Sequence, residues 1–299
     1  MRVLFIRPAT ALWFFGALPL AASAAEGTVD RTVVADAQGE VQISNVSGSI
    51  DVRGWDRNEV KVTGDIGEDV ERVDVETTGG RTVIKVVVPH GGSNDAEATL
   101  EVQVPRMSSV EVSAVSADVS SRGVLGTQRI KTVSGEITAD VAGDNSEVRS
   151  VSGDISVHGA GKPLALRLSS VSGSLELSDA AGKLDVVTVS GDAHLQLGEL
   201  SELRGRTTSG TFDLRGKLAI GGRVDVEAVS GDITLRLTSA GAYSTEIESF
   251  SGDIQGCLAT AVERVSKYGP GTQLMIRTVE SGARVRAKTL SGDIEICNK

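Results

Sequence analysis

A series of aspartates is the group of side chains in this sequence that is best placed to do chemistry. Each follows a Ser-Gly pair in a recurring segment, and the members are Asp154, Asp192, Asp232, Asp253 and Asp293. If the segments stack, these carboxylates lie ~4.8 Å apart, where like charges repel, although Ser174 and Thr211 interrupt the series. The aspartates then either accept hydrogen bonds from turn amides or share Ca²⁺, as Asp232 and Asp253 would as neighbours. The glycine-rich nonapeptide of calcium-binding β-rolls is missing, so we favour the turn role.

Two cysteines are the next candidates. Cys257 and Cys297 are the only cysteines in the chain, and in an exported protein they are expected to be oxidised. Each lies five residues after a repeat glycine, Gly252 or Gly292, so both are predicted to point outward on one face. The spacing of 40 residues between these glycines predicts two coils. That separation is ~9.6 Å, more than the ~7 Å that a relaxed disulfide spans. Two alternatives follow: a bridge pins a shifted C-terminus, or Cys297 links two chains.

Other catalytic signatures are absent from the sequence. His90, His158 and His194 show no metal-ligand spacing, and there is no phosphate-binding loop, dinucleotide fingerprint or nucleophile elbow. Aromatic side chains, on which sugars stack, make up only 3% of the residues. We therefore expect no enzyme, and we assign no catalytic, cofactor-binding or metal-ligating residue and no cofactor. The alternative is a carbohydrate-active β-helix enzyme that acts on an envelope polysaccharide.

An internal repeat sets the positions of all these residues. Its copies have the form Val-Ser-Gly-Asp-Ile and centre on Gly48, Gly135, Gly153, Gly173, Gly191, Gly210, Gly231, Gly252 and Gly292, with Ala117 in a variant copy. From Ala117 to Gly252 the centres are 18, 18, 20, 18, 19, 21 and 21 residues apart, and the last step is 40. A period near 20 is too short for helical-pair repeats and for propeller blades. Each copy therefore predicts one coil of strands with a corner of small residues.

Alternation around the repeat glycine predicts which side chains point inward. Apolar residues recur two, four and six positions after it, as in Ile233, Leu235 and Leu237, and two positions before it, as in Val229. With a period of two these share the inward face, whereas the serine before the glycine and the aspartate after it point outward. Apolar residues also recur five and seven positions before the glycine, which predicts a bend between the fifth and the second. The glycine is expected at an inward corner, where a Cβ would crowd the neighbouring coils.

These patterns predict an all-β, single-domain parallel β-helix (β-solenoid) of about ten coils of 18–21 residues, right-handed by the usual preference. The composition agrees, since 40% of the residues are hydrophobic and Val, Ile and Leu suit strands. Residues 106–299 are the regular solenoid, and residues 26–105 are an irregular β region that starts or caps it. A degenerate coil is expected near Tyr268–Gly271. The last repeat, which ends at Lys299, is expected to leave an open C-terminal edge.

Residues 1–25 have the layout of a secretory signal peptide. Arg2 and Arg7 precede a short apolar stretch, Ala9–Leu20, and small residues follow at Ala22-Ser-Ala24. The apolar stretch is too short to span a bilayer, so we expect an exported protein, periplasmic or associated with the cell envelope, with no membrane span. Removing two arginines changes 30 basic and 40 acidic residues to 28 and 40, a net charge of −12. That charge argues against nucleic acid and anionic lipid as partners.

The sequence resembles a widespread bacterial family of unknown function that carries the label "putative adhesin" and is similar to auto-transporter-adhesin head-domain families. The resemblance rests on Gly48–Asp56, which reads Gly-Ser-Ile-Asp-Val-Arg-Gly-Trp-Asp, on Val60–Gly64 and on the serial Val-Ser-Gly-Asp-Ile copies. It covers essentially the whole chain after the signal peptide. It implies a β-helix in the bacterial envelope and supplies no catalytic residues. This chain departs from the regular pattern at Ala117 and near Pro270.

Composition, repeat and resemblance lead to one functional expectation. The chain is predicted to be a non-enzymatic exported β-solenoid that acts as a structural or interaction (adhesin-like) module of the bacterial cell envelope. The expected partner is a protein or an envelope surface whose identity the sequence does not give. A homodimer through the open C-terminal edge is one arrangement that we consider, and a regulatory partner of an envelope signalling system is another.

Overall fold

All regular secondary structure that the computed structural model describes is β-strand. The described residues are 27–89, 96–239, 241, 243–257, 263–264, 271–276 and 282–298. Within this part of the chain no helix is long and apolar enough to cross a membrane. The predicted all-β class is therefore confirmed. The predicted signal peptide lies outside the described residues, as do His90, Tyr268 and Pro270.

The strands fall into three groups along the chain. The N-terminal group comprises β1 (Thr28–Val34), β2 (Glu40–Trp55), β3 (Glu59–Ile66), β4 (Arg72–Thr78), β5 (Arg81–Val87) and β6 (Glu97–Pro105). The central group comprises β7 (Ser109–Arg122), β8 (Gln128–Ser134), β9 (Ile137–Val141), β10 (Ser146–Ser152), β11 (Ile155–Gly159), β12 (Pro163–Ser172), β13 (Leu175–Ser178), β14 (Ala181–Ser190), β15 (Ala193–Ser209), β16 (Phe212–Ser230) and β17 (Ile233–Ser239). The C-terminal group comprises β18 (Ser244–Ser251), β19 (Ile254–Gly256), β20 (Glu263–Arg264), β21 (Thr272–Ile276), β22 (Arg284–Ser291) and β23 (Ile294–Cys297).

The central strands stack in parallel, one repeat above the next. Ile130, Val148 and Leu168 of successive repeats lie side by side, because β8 pairs with β10 and β10 with β12. A second face is built in the same way, as β9 pairs with β11 and β11 with β13. One repeat therefore forms one rung of a solenoid-like stack, and equivalent residues form rows along it. This pairing confirms the parallel stacking that the period predicts.

Apolar side chains after each repeat glycine, nearly all of them aliphatic, fill the interior. Two positions after the glycine, Ile137, Leu175 and Ile294 are fully buried, and four positions after it Leu177 and Leu235 are at most 1% exposed. A single rung leaves this face open, whereas stacked rungs cover it from above and below. The inward assignment of these positions is confirmed.

The inward assignment of the apolar residue two positions before the glycine is wrong. Val133, Val151 and Val229 are 50%, 44% and 49% exposed. The buried side chain is one position earlier, at −3 from the glycine, where Thr132 and Ser150 point into the core. Positions −7, −5 and −3 thus share the inward face of one uninterrupted strand. The predicted bend between −5 and −2 does not occur in these strands, and the chain turns at the glycine instead.

A buried hydroxyl and a left-handed glycine make this turn. Thr132 Oγ1 donates a hydrogen bond to the carbonyl of Ser134 at 2.9 Å, so the polar side chain at −3 is satisfied locally. Gly153 has φ +135°, and a Cβ there would lie 2.2 Å from the carbonyl oxygen of Gly135 in the neighbouring rung. Glycine both adopts this backbone and leaves room for the neighbour. The expected crowding of any side chain at the corner is confirmed.

At the N-terminal end the order of rungs in space departs from the order in sequence. β2 lies between β7 on one side and β5 and β6 on the other, with all pairs parallel. β4 then covers β5, β3 covers β6, and β1 pairs with β3, all antiparallel. The rung formed by β5 and β6 therefore meets antiparallel strands rather than presenting an open parallel edge.

At the C-terminal end, too, the order of the rungs in space differs from their order in the sequence. β22 lies between β16 and β18, and β23 lies between β17 and β19, so the last repeat in the sequence is inserted one rung inside the stack. The predicted open C-terminal edge is wrong, because both strands of this repeat are paired on both sides. The degenerate coil predicted near Gly271 is also wrong in its described part. Thr272–Ile276 is instead a covering strand that pairs antiparallel with β18.

Candidate functional site: an exposed apolar ridge

A row of exposed side chains, nearly all apolar, runs along the stack at position −2. The exposed fractions of its large hydrophobic members lie between 43% for Val189 and 55% for Phe250 and Leu290. The pairing of the flanking residues places these side chains in neighbouring rungs. We call this row the apolar ridge, and in spatial order it consists of Val115, Val133, Val151, Val171, Val189, Thr208, Val229, Leu290 and Phe250.

In every rung of the ridge except that of Val115, which lies inside β7, the strand of this face ends immediately after the ridge. In β8, β10 and β12 the last three residues are buried, exposed and exposed, so positions −2 and −1 both lie outside. Position −1 is a serine beside every member of the ridge. We call this second row the serine row, which consists of Ser116, Ser134, Ser152, Ser172, Ser190, Ser209, Ser230, Ser291 and Ser251. Two adjacent rows without a formal charge thus run the length of the ridge.

One half of the ridge borders a groove with a volume of about 740 Å³. Its walls are the ridge from Val189 to Phe250 and the outward row at position −4 from Val187 to Glu248. Gly271–Gln273, at the start of β21, also lines it. The ridge from Val115 to Val171 contributes nothing to this lining. The ridge therefore has two unlike halves, one with a groove beside it and one without.

The charged side chains of the groove are paired with one another. Lys288 Nζ contacts the carboxylates of Glu248 and, at 3.9 Å, of Glu246. Arg206 Nε lies 3.8 Å from the carboxylate of Glu227. In the lining itself two cations, Arg206 and Lys288, are therefore balanced by two carboxylates, Glu227 and Glu248. The groove suits an apolar surface without a net charge better than it suits an ion.

Sequence reasoning missed the ridge because it placed position −2 in the interior. The signal that would have found it is the Ser or Thr at −3, as in Thr132 and Ser150. Counted in even steps from the apolar residue at −7, the inward face reaches −5 and then −3, and the apolar residue at −2 is left outside. A polar residue inside and an apolar residue outside is the reverse of the usual pattern. The apolar residue at −2 was therefore predicted to point inward.

The aspartates after the repeat glycine act as acceptors at the corners. Asp154 Oδ1 accepts a hydrogen bond from the backbone N–H of Ser174 at 2.7 Å, and Asp192 Oδ1 accepts one from Thr211 at 2.7 Å. The favoured role as acceptors of corner amides is confirmed. Each carboxylate bonds to the amide of the next rung rather than to its own turn, so the bond joins two repeats.

The last three aspartates continue this series without interruption. The N–H of Asp293 donates to Asp232 Oδ1 at 2.8 Å, and the N–H of Asp253 donates to Asp293 Oδ1 at 2.8 Å. Asp232 and Asp253 are therefore not neighbours, as the calcium alternative assumed, because the inserted last repeat places Asp293 between them. The amide bonds give these exposed carboxylates a structural role.

Cys257 and Cys297 form a disulfide with their Cα atoms 4.9 Å apart. They lie in adjacent rungs because β19 pairs with β23, where Gly256 is beside Ile296. The predicted separation of two coils is wrong for that reason, and the internal bridge forms without a shift of the terminal strand. Among the described residues, one group has possible metal-ligand atoms within 4.8 Å of one another, and it consists of these two cysteines and Glu295. Both sulfur atoms of that group are already bonded to each other.

The two described histidines lie on the outer side of the second face. His158 Nδ1 is 3.0 Å from Ser178 Oγ and 3.5 Å from the carboxylate of Asp179. His194 lines a polar groove of about 390 Å³ together with Asp213. Serine and aspartate both contact the same nitrogen of His158, so this trio lacks the relay geometry of a nucleophilic site. The alternative of a carbohydrate-active enzyme stays a prediction.

Stacked parallel rungs, corner glycines and a long, mostly apolar ridge define a solenoid-like β scaffold that presents long outer surfaces. The chain belongs to the Toastrack DUF4097 family, whose model matches residues 72–297. This membership confirms the resemblance to a family of unknown function. No curated protein matches the chain.

Solved structures that match this chain include proteins described as adhesins. A putative cell adhesion protein from Clostridium sporogenes is 10% identical, with 91% of this chain and 100% of that chain covered and a TM-score of 0.25. A putative adhesin from Bacteroides fragilis is 10% identical, with 91% and 98% covered and a TM-score of 0.43. A putative lipid binding protein from Parabacteroides distasonis is 12% identical, with 90% and 96% covered and a TM-score of 0.30. At these identities and TM-scores no activity or ligand is carried over.

Proposed function

We propose that this chain is an exported, non-enzymatic interaction module of the bacterial cell envelope, adhesin-like in that it works by surface contact. The observation that carries the proposal is the apolar ridge, whose large hydrophobic side chains are about half exposed along the stack. Long rows of exposed, mostly apolar side chains on a soluble protein commonly mark a surface that a partner covers. The proposed partner is a protein that packs on the ridge and the serine row.

Burial of the ridge gives such a contact its stability. A valine that goes from half exposed to fully buried contributes roughly 1 kcal/mol from the apolar area it loses to water. Serine hydroxyls beside the ridge can rotate to donate to or accept from a partner, so they add hydrogen bonds without the cost of burying a charge. Binding by a row of small contacts needs no deep pocket, which fits rungs that have short connections.

Two features support export. The layout of residues 1–25 is that of a secretory signal peptide, and the bridge between Cys257 and Cys297 suits an oxidising compartment. We further propose that the full stack has about ten coils and is right-handed, because parallel strands of one sheet are joined in that sense in nearly all proteins.

Site-specific photocrosslinking in the envelope tests the proposed function. A photoreactive amino acid replaces Val171 on the ridge or, as the control, Ile220, which is 85% exposed and lies off the ridge. The expected result is a discrete protein adduct from position 171 that position 220 does not give. If both positions give the same adducts, or the ridge gives none, the proposal fails.

A further inference from the structure

We infer that the partner on the ridge is a second copy of this chain, packed ridge to ridge with the two stacks antiparallel about Val189. The inference rests on the proposed function, because it names the partner of the same surface. It commits to one geometry, a two-fold axis that runs along the strand direction at Val189. Such an interface is isologous, so every contact occurs twice.

The extent of the ridge matches what a stable dimer needs. From Val115 to Phe250 the ridge crosses eight rung spacings, which at ~4.8 Å each give a length of ~38 Å. With the serine row and the −4 row beside it, the strip is roughly 15–20 Å wide and offers roughly 600–800 Å². A standard interface buries about 800 Å² on each partner. Two ridges in contact therefore approach the lower end of the size of a specific interface.

The charge pattern permits contact between like copies at this place. The chain carries a formal net charge of −10, so most surfaces of one copy repel the same surface of another. The ridge and the serine row carry no formal charge in any rung from Val115 to Phe250. A strip that is apolar on one row and hydroxyl on the next can face its own copy without opposing like charges. Electrostatic repulsion between two copies is therefore weakest where ridge meets ridge.

The two unlike halves of the ridge select the antiparallel direction. In that arrangement the half from Val115 to Val171, which borders no groove, lies over the groove of the partner copy. Val115 then meets Phe250 of the other copy, and the groove of each copy is covered by the half of the other copy that borders no groove. A parallel arrangement reverses the strand direction of the second copy, so the groove of each copy would lie over the serine row of the other and its apolar walls would face hydroxyls.

The row at position −4 suits the antiparallel direction at its centre and two rungs away. Its like-charge pair, Lys131 opposite Lys288, is formed by cations that carboxylates of their own copy already contact. Val189 lies on the axis, so Val187 of one copy faces Val187 of the other and the two form an apolar centre. Two rungs away on either side, Arg149 of one copy comes opposite Glu227 of the other, and this pair of opposite charges also occurs twice. Charged pairs at the margin of an apolar strip favour one alignment over its alternatives.

Cysteine crosslinking tests this geometry. The two native cysteines are bridged to each other, so an introduced cysteine supplies the free thiol that reacts. Val189→Cys places the introduced thiols of the two copies next to each other on the axis, and oxidation is expected to give a covalent dimer. Val115→Cys lies at one end of the ridge and is expected to give none by itself. Val115→Cys mixed with Phe250→Cys is expected to give a heterodimer of the two variants.

Sedimentation velocity supplies the second measurement. Val171→Asp puts a charge into the contact and is expected to weaken self-association about tenfold or more, whereas Ile220→Asp is expected to leave it unchanged. Both variants expose the new carboxylate in the monomer, so a normal melting temperature shows that the fold is kept.

The possible outcomes separate this inference from the proposed function. Self-crosslinking of Val115→Cys as readily as of Val189→Cys would overturn the antiparallel geometry. A protein that stays monomeric and gives no Val189→Cys dimer would overturn the second copy as the partner. In that case an adduct with a different protein from position 171 still supports the proposed function, and the absence of every adduct contradicts both.

Discussion

The ring of Phe212 occupies the space that a side chain at Gly205 would fill. A Cβ on Gly205 would lie 2.4 Å from Phe212 Cζ, although the two residues belong to different faces of the stack. In the neighbouring rung the same two positions hold Val226 and Ile233, which are both fully buried. The one rung with a large aromatic at +2 therefore has no side chain at −5, and the volume of the rung is conserved.

This relationship predicts a compensating pair of substitutions. Gly205→Val alone overpacks the rung and is expected to lower the free energy of unfolding by ~1–3 kcal/mol. Phe212→Ile alone leaves a cavity and is also expected to destabilise the protein. The double variant recreates the pair found in the next rung, so it is expected to be more stable than the sum of the two changes by ~0.5–3 kcal/mol. Urea unfolding of the four proteins measures this coupling, and additive effects would show that the two sites do not share one space.

Corner glycines are expected to be intolerant of any side chain. Gly153→Ala places a Cβ 2.2 Å from the carbonyl oxygen of Gly135 and strains a backbone with φ +135°. Gly161→Ala is the matched control, since its φ is +68° but its Cβ would meet open space. We expect the control to cost about 1–2 kcal/mol, from backbone strain alone. Gly153→Ala should cost at least ~1–3 kcal/mol more, from overpacking. If thermal unfolding shows the same loss of stability for both variants, the contact between neighbouring rungs does not contribute to the cost of Gly153→Ala.

The aspartate series predicts a stability effect that is independent of calcium. Asp192→Ala removes the acceptor of the Thr211 amide and is expected to lower the free energy of unfolding by about 1 kcal/mol. Glu136→Ala is the control at the equivalent position of another rung, and it is expected to change stability by less than ~0.5 kcal/mol. Adding Ca²⁺ should leave the melting temperature of the unaltered protein where it was. A rise with Ca²⁺ that Asp232→Asn abolishes would falsify the purely structural role.

The repeat period and the alternation after the glycine were enough to predict the parallel stack and half of its core. They could do so because Ile137, Leu175 and their equivalents obey the ordinary rule that apolar residues face inward. Position −2 could not be placed in this way, since the valine there is exposed and the polar residue at −3 is buried. The hydroxyl at −3 is stable inside because it bonds to the backbone of the turn, as Thr132 does to Ser134. That bond depends on a backbone geometry that residue types alone do not specify.

The order of the rungs at each end was beyond sequence reasoning for a different reason. Every repeat offers the same strand faces, so the pattern around Gly292 fits as well beside Gly231 as beyond Gly252. The structure places it between them, with β22 paired to β16 and to β18. Chain connectivity does not forbid this, because the segment from β19 to β22 is long enough to pass around the terminal rung. The equivalent positions of Cys257 and Cys297 in their repeats were the one sign of the insertion, because a bridge between them requires adjacent rungs. The assumption that repeats stack in sequence order led instead to a predicted separation of two coils.

The disulfide is expected to hold the inserted repeat in place. Cys257 and Cys297 close a loop with a sequence separation of 40 residues, so in the chain-entropy model the bridge stabilises the folded state by about 4 kcal/mol. Because β22 and β23 each pair with a strand on both sides, their release would expose the edges of β16 and β18 at once. We therefore expect the double variant Cys257→Ser/Cys297→Ser to lose amide protection first in Arg284–Cys297, while Gln128–Ser178 keeps its protection. Hydrogen exchange followed by mass spectrometry measures this, and alkylation without reductant gives the control, since a bridged protein has no reactive thiol. Uniform loss of protection along the whole stack would show that the bridge supports the entire fold rather than the inserted repeat.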